Sequence, residues 1–190
     1  PIEVTMGRES REDFDLKAHL LKEKTTLGEL ATRVLQCESS TNDFYLIARN
    51  HALDQPELMS LFEEIDERPI LNPDQRRRHA ALWFGPKGTY TPLHHDTCNI
   101  MFVQMWGEKR IDLLPPHRFD LFEHSMNMYA SLDLRIAQQA EQRTVTLKAG
   151  EALFIPVGWW HQVEALTHST SLAMTHFYQN NQYQWYQPGQ

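Results

Sequence analysis

"TPLHHDTCNIMFVQMWGEKR", residues 91–110, sets two histidines and an aspartate directly before a long apolar run. A run of this kind reads as a core strand, and buried charge is costly unless it is paired or bound to a metal. In an extended strand residues two apart share a face, so His94 and Asp96 converge while His95 turns away. A neutral imidazole nitrogen and a carboxylate oxygen held side by side can grip one divalent ion. Taken alone, His-x-Asp is weak, and a histidine hydrogen-bonded to its neighbouring aspartate would satisfy it.

A second stretch strengthens the metal reading. "GEALFIPVGWWHQV", residues 150–163, is an apolar strand, a Pro-x-Gly turn and then His161. Further along the first stretch, a tight turn is expected at Gly107-Glu108, followed by a returning strand. In that strand Lys109, Ile111 and Leu113 share one face, and Arg110, Asp112 and Leu114 the other. Lys109 is then the one cation on an otherwise apolar inward face. Two histidines and a carboxylate leave about three positions of an octahedron open, an arrangement associated with non-haem Fe(II) oxygenases. A structural zinc site would be closed by four ligands, often thiolates, and Cys37 and Cys98 lack that spacing. The open positions suit a bidentate 2-oxo acid and dioxygen. Lys109 is placed to take the far carboxylate of a dicarboxylic 2-oxo acid, with a hydroxyl such as that of Thr91 adding a hydrogen bond.

The rest of the chain frames this core. With 190 residues and 41% hydrophobic content, one core of ordinary size is expected. Net charge of −7 supplies no global attraction to nucleic acid or anionic lipid, and Arg76-Arg77-Arg78 reads as a solvated loop. Two cysteines make no disulfide framework, which points to the cytoplasm. No signal peptide or membrane span is visible. Residues 1–79 carry a short strand (Ile2, Val4, Met6), then a helix in "TTLGELATRVLQC" with Thr25 or Thr26 as N-cap. A strand in "NDFYLIARN" and a short helix in "QPELMSLFEEI" with Pro56 in its first turn complete this part. From residue 80 to 178 strand-like runs are punctuated by Gly and Pro turns. A looser, partly helical insert, residues 118–142, separates them, and residues 179–190 form an uncharged tail. The expected fold is mainly β with helical decoration: one domain, a jelly-roll or barrel. Trp106, Trp159, Trp160 and Phe154 are candidates for a dry pocket wall, with core packing the commoner role for most.

Gly88, His94 and Asp96 fit G-x5-H-x-D, and Gly150, Pro156, Gly158 and His161 fit G-x5-P-x-G-x2-H, so the chain resembles the cupin superfamily in both of its motifs. "TPLHHDTCNIMFVQMWGEKRIDLLPP" with "GEALFIPVGWWHQVEA" resembles the JmjC-type, cupin-like 2-oxoglutarate oxygenases. The resemblance is strongest to the branch of the asparaginyl hydroxylase that inhibits the hypoxia-inducible factor. It implies a double-stranded β-helix and an Fe(II)- and 2-oxoglutarate-dependent dioxygenase acting as a hydroxylase. It also implies His94, Asp96 and His161 as iron ligands, and Lys109, Thr91 and Tyr45 around the far carboxylate of 2-oxoglutarate. Asn99 would lie near the cosubstrate. His176 stands where that hydroxylase has an asparagine near the cosubstrate, and Ile47 where it has a substrate-facing glutamine. HxD in place of HxE favours hydroxylation over demethylation. A protein or peptide side chain is the first expectation for substrate, with a small metabolite as the alternative, and a homodimer stays open. A metal-dependent cupin enzyme using no 2-oxo acid and a non-catalytic ligand-binding cupin scaffold are the rival readings.

Overall fold

The computed structural model describes residues 1–63, 80–121 and 128–175. Among the described residues eleven strands and one α-helix follow the chain as β1 (Ile2–Met6), β2 (Lys22–Thr25), α1 (Leu27–Gln36), β3 (Phe44–Tyr45), β4 (Ala80–Gly85), β5 (Tyr90–His95), β6 (Ile100–Trp106), β7 (Lys109–Leu114), β8 (Arg143–Leu147), β9 (Ala152–Ile155), β10 (Trp160–Ala165) and β11 (Ser169–Met174). Two four-stranded antiparallel sheets, ordered β5-β10-β7-β8 and β4-β11-β6-β9, face each other; a three-stranded sheet, β2-β1-β3, stands beside them. From β4 to β11 every step along the chain changes sheet except β7 to β8. That alternation is the double-stranded β-helix, a jelly roll in which paired strands are distant in sequence.

Gly107-Glu108 is therefore not a hairpin. β6 and β7 lie in different sheets and do not pair with each other; the two residues carry the chain across the sandwich. Gly107 has φ +75°, and a Cβ there would collide with the carbonyl of His168, so both its backbone region and its surroundings demand glycine. The alternation read from the sequence in β7 does hold. Ile111 and Leu113 join Ile100, Phe102, Leu147, Ile155 and Val163 between the sheets, whereas Leu114 packs outside with Leu93, Ala130, Leu134 and Trp160.

The N-terminal part folds as its local signals direct. α1 starts at Thr26, whose hydroxyl accepts from Glu29 N–H while the Glu29 carboxylate accepts from Thr26 N–H, a reciprocal cap. Leu30 and Val34 of α1 bury against Ile2, Val4 and Phe44, and this core continues onto Leu82, Phe84, Leu172 and Met174 of the barrel. Three differences from expectation stand out. Pro56–Phe62 winds as a 3-10 helix. The expected strand in "NDFYLIARN" shrinks to β3 plus a bridge from Leu46 to Phe84, which joins the small sheet to the barrel. Between residues 118 and 142 the described residues hold one 3-10 turn, Phe119–Leu121, and otherwise irregular chain. Part of that chain extends the sheet, since His95 N–H donates to Met128 O and Ala130 N–H to Leu93 O, covering the free edge of β5. Among the described residues no helix is long and apolar enough to cross a membrane. Cys37 and Cys98 are free thiols. His176, Arg76-Arg77-Arg78 and the tail lie outside the described residues.

Candidate metal centre and the pocket behind it

His94 is the penultimate residue of β5, Asp96 follows the strand's end, and His161 is the second residue of β10, directly across the ladder from His94. Their donor atoms all lie within 4.8 Å of one another. His94 Nε2 stands 3.8 Å and His161 Nε2 3.4 Å from Asp96 Oδ2, and the two imidazole centroids are 4.1 Å apart. Each imidazole is oriented by its own strand: His94 Nδ1 lies 2.8 Å from Pro92 O and His161 Nδ1 3.0 Å from Trp159 O. A carbonyl can only accept, so both Nδ1 atoms carry a proton, and both Nε2 atoms face the carboxylate. That is the second-sphere arrangement by which proteins hold metal-binding histidines. Burial, reinforced by the neighbouring His161, pushes His94 down to about 4, so it is neutral at physiological pH. Burial alone would raise the Asp96 carboxyl, but the His161 and His94 imidazoles outweigh it and hold the group at about 2. In the trio two imidazole nitrogens and one carboxylate oxygen converge on one point, a donor set that fits Fe(II) with open positions left over. His95 faces the other way, edge-on to Trp160 at 4.8 Å.

Two turns 58 residues apart are tied together to make this convergence. Gly158 N–H donates to Asp96 O, and Val157 N–H to Asn99 Oδ1 at 2.8 Å. Asn99 thus braces the Pro156-Val157-Gly158 turn, and is not among the residues lining the cavity beside the trio. That cavity has a wall of Trp83, Ile100, Phe102, Ile155, Val163 and Ala173, with Tyr45 and Thr91 as its polar members besides the trio. None of Trp106, Trp159, Trp160 or Phe154 lines it. Trp160 is buried outside the sheet, and Trp106 and Phe154 are 44% and 47% exposed.

Thr91 reaches the cavity through an irregularity. Strict alternation from His94 would turn Pro92 inward and Thr91 outward. In the ladder, however, His161 faces His94 and Val163 faces Thr91, so β5 carries one extra residue. This bulge at Pro92-Leu93 brings Thr91 and His94 onto one face and sends Leu93 to the outer cluster. A proline on an edge strand is where such a bulge is tolerated.

Lys109 lies inside the barrel with 0% exposure. Its ammonium donates to Tyr45 Oη at 2.9 Å and stands 5.4 Å and 5.3 Å from the Tyr45 and Phe102 ring centroids. Burial pushes it down to about 7, and no carboxylate among the described residues pairs with it. Burial likewise pushes the Tyr45 phenol above its ordinary value. A buried cation of this kind, flanked by a hydroxyl and aromatic faces, has the chemistry to receive an anion. Gly85 makes room for it: a Cβ there would meet Tyr45 Cδ2 at 2.7 Å and Thr89 Cγ2 at 2.8 Å. Trp83 and Tyr129 were not legible as site residues from the sequence. Trp83 gave an alternation signal, sitting between the outward-packed Leu82 and Phe84. Tyr129, whose ring lies 5.5 Å from His94, sits in an irregular segment and gave none.

The cupin-like domain family matches residues 5–184. Lysine-specific demethylase JMJ30 of Arabidopsis thaliana is 37% identical over 103 residues, 48% of the chain and 24% of that protein. HSPB1-associated protein 1 of Mus musculus is 34% identical over 122 residues, 56% of the chain and 25% of that protein. The chain thus spans about a quarter of the length of these curated relatives. The X-ray structure of E. coli YcfD aligns with a TM-score of 0.50 at 16% identity, over 85% of the chain and 38% of YcfD, a likeness of fold. With nearly all of its length matched and the two-sheet barrel in place, the chain belongs to the cupin-like domain family.

Proposed function

We propose that the chain is an Fe(II)- and 2-oxoglutarate-dependent oxygenase domain that hydroxylates an unactivated C–H bond on a protein or peptide side chain. The observation that carries this reading is the pairing of an open His94–Asp96–His161 trio with a buried Lys109 that no carboxylate among the described residues pairs, in one barrel interior. A cupin using its metal alone has no need of such a lysine.

His94, Asp96 and His161 would hold the metal, and the Nδ1 bonds to Pro92 and Trp159 keep both imidazoles in the binding tautomer. Lys109, Tyr45 and Thr91 would receive the far carboxylate of 2-oxoglutarate, the ammonium supplying charge and the hydroxyls direction. Bound there, the ferrous ion and its cosubstrate supply dioxygen activation, with 2-oxoglutarate going to succinate and carbon dioxide. The chain's share is orientation and dryness: Ile100, Phe102, Ile155, Val163 and Ala173 line the reaction space and keep bulk water from it. Asp96 is the most exposed of the trio, its side chain 27% accessible against 11% for His94 and 4% for His161, so the substrate approaches from its side. HxD instead of HxE supports hydroxylation, as in the asparaginyl hydroxylase branch. The net charge of −7 favours a basic peptide. The name of the Arabidopsis relative, a lysine-specific demethylase, concerns that protein.

Succinate release from 2-oxoglutarate with added Fe(II) tests the proposal, alongside mass spectrometry of candidate peptides for a single added oxygen. His94→Ala is expected to abolish turnover. Turnover that ignores 2-oxoglutarate would support a different metal enzyme, and absence of metal uptake would support a binding scaffold.

A further inference from the structure

We propose that Arg8 is a positioning residue of the anion pocket, fastening the N-terminal sheet to the barrel so that Tyr45 meets Lys109 and Thr91 faces the cavity. The inference rests on the reading of that pocket as the cosubstrate's carboxylate site, and no motif pointed to it. Arg8 follows β1, far from the metal motifs in sequence, yet its side chain is wholly buried. A guanidinium has five N–H donors in a fixed fork, and here they reach four separate segments. Nη2 donates to Tyr90 O at 2.7 Å, Nε to Asn42 O at 3.1 Å, and Nη1 to Thr5 Oγ1 at 3.4 Å. Nη2 also lies 3.5 Å from Asp15 Oδ1, which balances the charge. The planar group stands over the Phe14 ring at 4.4 Å and 5.5 Å from the Tyr45 ring centroid.

The contacts to Tyr90, Asn42, Thr5 and Tyr45 bear on pocket residues. Tyr90 begins β5 and precedes Thr91. Its carbonyl is held by Arg8 and its N–H donates to Asn42 Oδ1 at 2.8 Å, the same oxygen that Arg8 Nε approaches at 3.3 Å. Arg8 and Asn42 therefore clamp both backbone polar groups of Tyr90 just ahead of the bulge that turns Thr91 inward. Thr5, the acceptor for Nη1, donates its own hydroxyl to Tyr45 O at 2.7 Å. With the guanidinium against the ring as well, the Tyr45 side chain is fixed from its backbone and from its face. Lys109 comes from β7, separated from β5 by β10 in the same sheet. Two of the three anion-binding residues are thus set by a group that touches neither metal nor cosubstrate.

The test compares wild type, Arg8→Lys, and the charge-neutral double variant Arg8→Met with Asp15→Asn. The double variant avoids leaving a buried carboxylate alone, and Arg8→Lys keeps the charge while losing the fork. Three readouts are taken: KM and kcat for 2-oxoglutarate, Mn(II) affinity as a redox-inert metal probe, and amide hydrogen exchange. The double variant should raise KM for 2-oxoglutarate at least tenfold, and Arg8→Lys should raise it less. Both should leave kcat and Mn(II) affinity within twofold of wild type. Exchange should quicken at residues 44–46 and 90–93 while β7 and β10 stay protected. If wild type takes up no 2-oxoglutarate, the functional reading falls, and exchange alone then decides the role of Arg8. Protection at 44–46 and 90–93 unchanged in either folded variant overturns the proposal, as does an unchanged KM in both variants.

Discussion

Replacing Lys109 by methionine probes the buried cation directly. Burial carries its ammonium from 10.5 to about 7. At ~1.4 kcal/mol for each tenfold change in proton affinity, the folded chain bears on the order of 3–5 kcal/mol whenever this lysine is charged and no anion is bound. The unfolded chain keeps the proton up to about pH 10.5 and the folded one only to about pH 7. Stability of the ligand-free protein therefore rises as pH climbs from 7 towards 10.5, and the whole penalty is present below 7. An incoming carboxylate favours the charged form, so 2-oxoglutarate should bind with uptake of roughly 0.9 proton at pH 8, its affinity falling about tenfold per pH unit above 7. Lys109→Met should stabilise the ligand-free protein at pH 6 by about 1–4 kcal/mol. It should also weaken 2-oxoglutarate by about 2–4 kcal/mol, roughly 30- to 1000-fold. The assay is calorimetric titration with Mn(II) present, from pH 6.5 to 9, in buffers of different ionisation enthalpy, with thermal melts in parallel. Affinity flat across that range with no proton uptake would refute the reasoning, and so would a Lys109→Met protein that binds 2-oxoglutarate as wild type does.

Gly85→Ala sets a methyl against the Tyr45 ring. It should raise the 2-oxoglutarate requirement while Mn(II) affinity, measured by titration, holds; unchanged kinetics would mean that Tyr45 yields freely. Gly107→Ala combines a positive φ with a clash against the His168 carbonyl and should cost about 2–4 kcal/mol in urea unfolding, close to the limit of a single substitution. Thr26→Ala removes the cap of α1 and should cost about 1 kcal/mol by the same measurement, leaving metal and cosubstrate binding untouched.

How much of this was legible in sequence follows the range of the forces involved. Thr26 and Glu29 announce the helix start because capping is settled within four residues. The inward set Lys109, Ile111 and Leu113 reads from period two because a strand without a bulge alternates its side chains. Gly107 signals an abrupt change of direction, yet not which sheet the chain enters next. Pairing partners of β6 and β7 lie dozens of residues away, so a local glycine is equally compatible with a hairpin and a crossing.

The identities of the converging trio, His94, Asp96 and His161, were legible in the sequence, because donor type is a property of the residue and its short spacing. Tertiary structure alone turned Thr91 inward through the Pro92-Leu93 bulge, brought Tyr45 from a separate sheet to Lys109, made Asn99 a brace for the second motif's turn, and buried Arg8 among four segments. Those placements depend on which strands pair and on what fills the space between two sheets. Both are set by burial and hydrogen bonding summed over the whole chain, which no local pattern records.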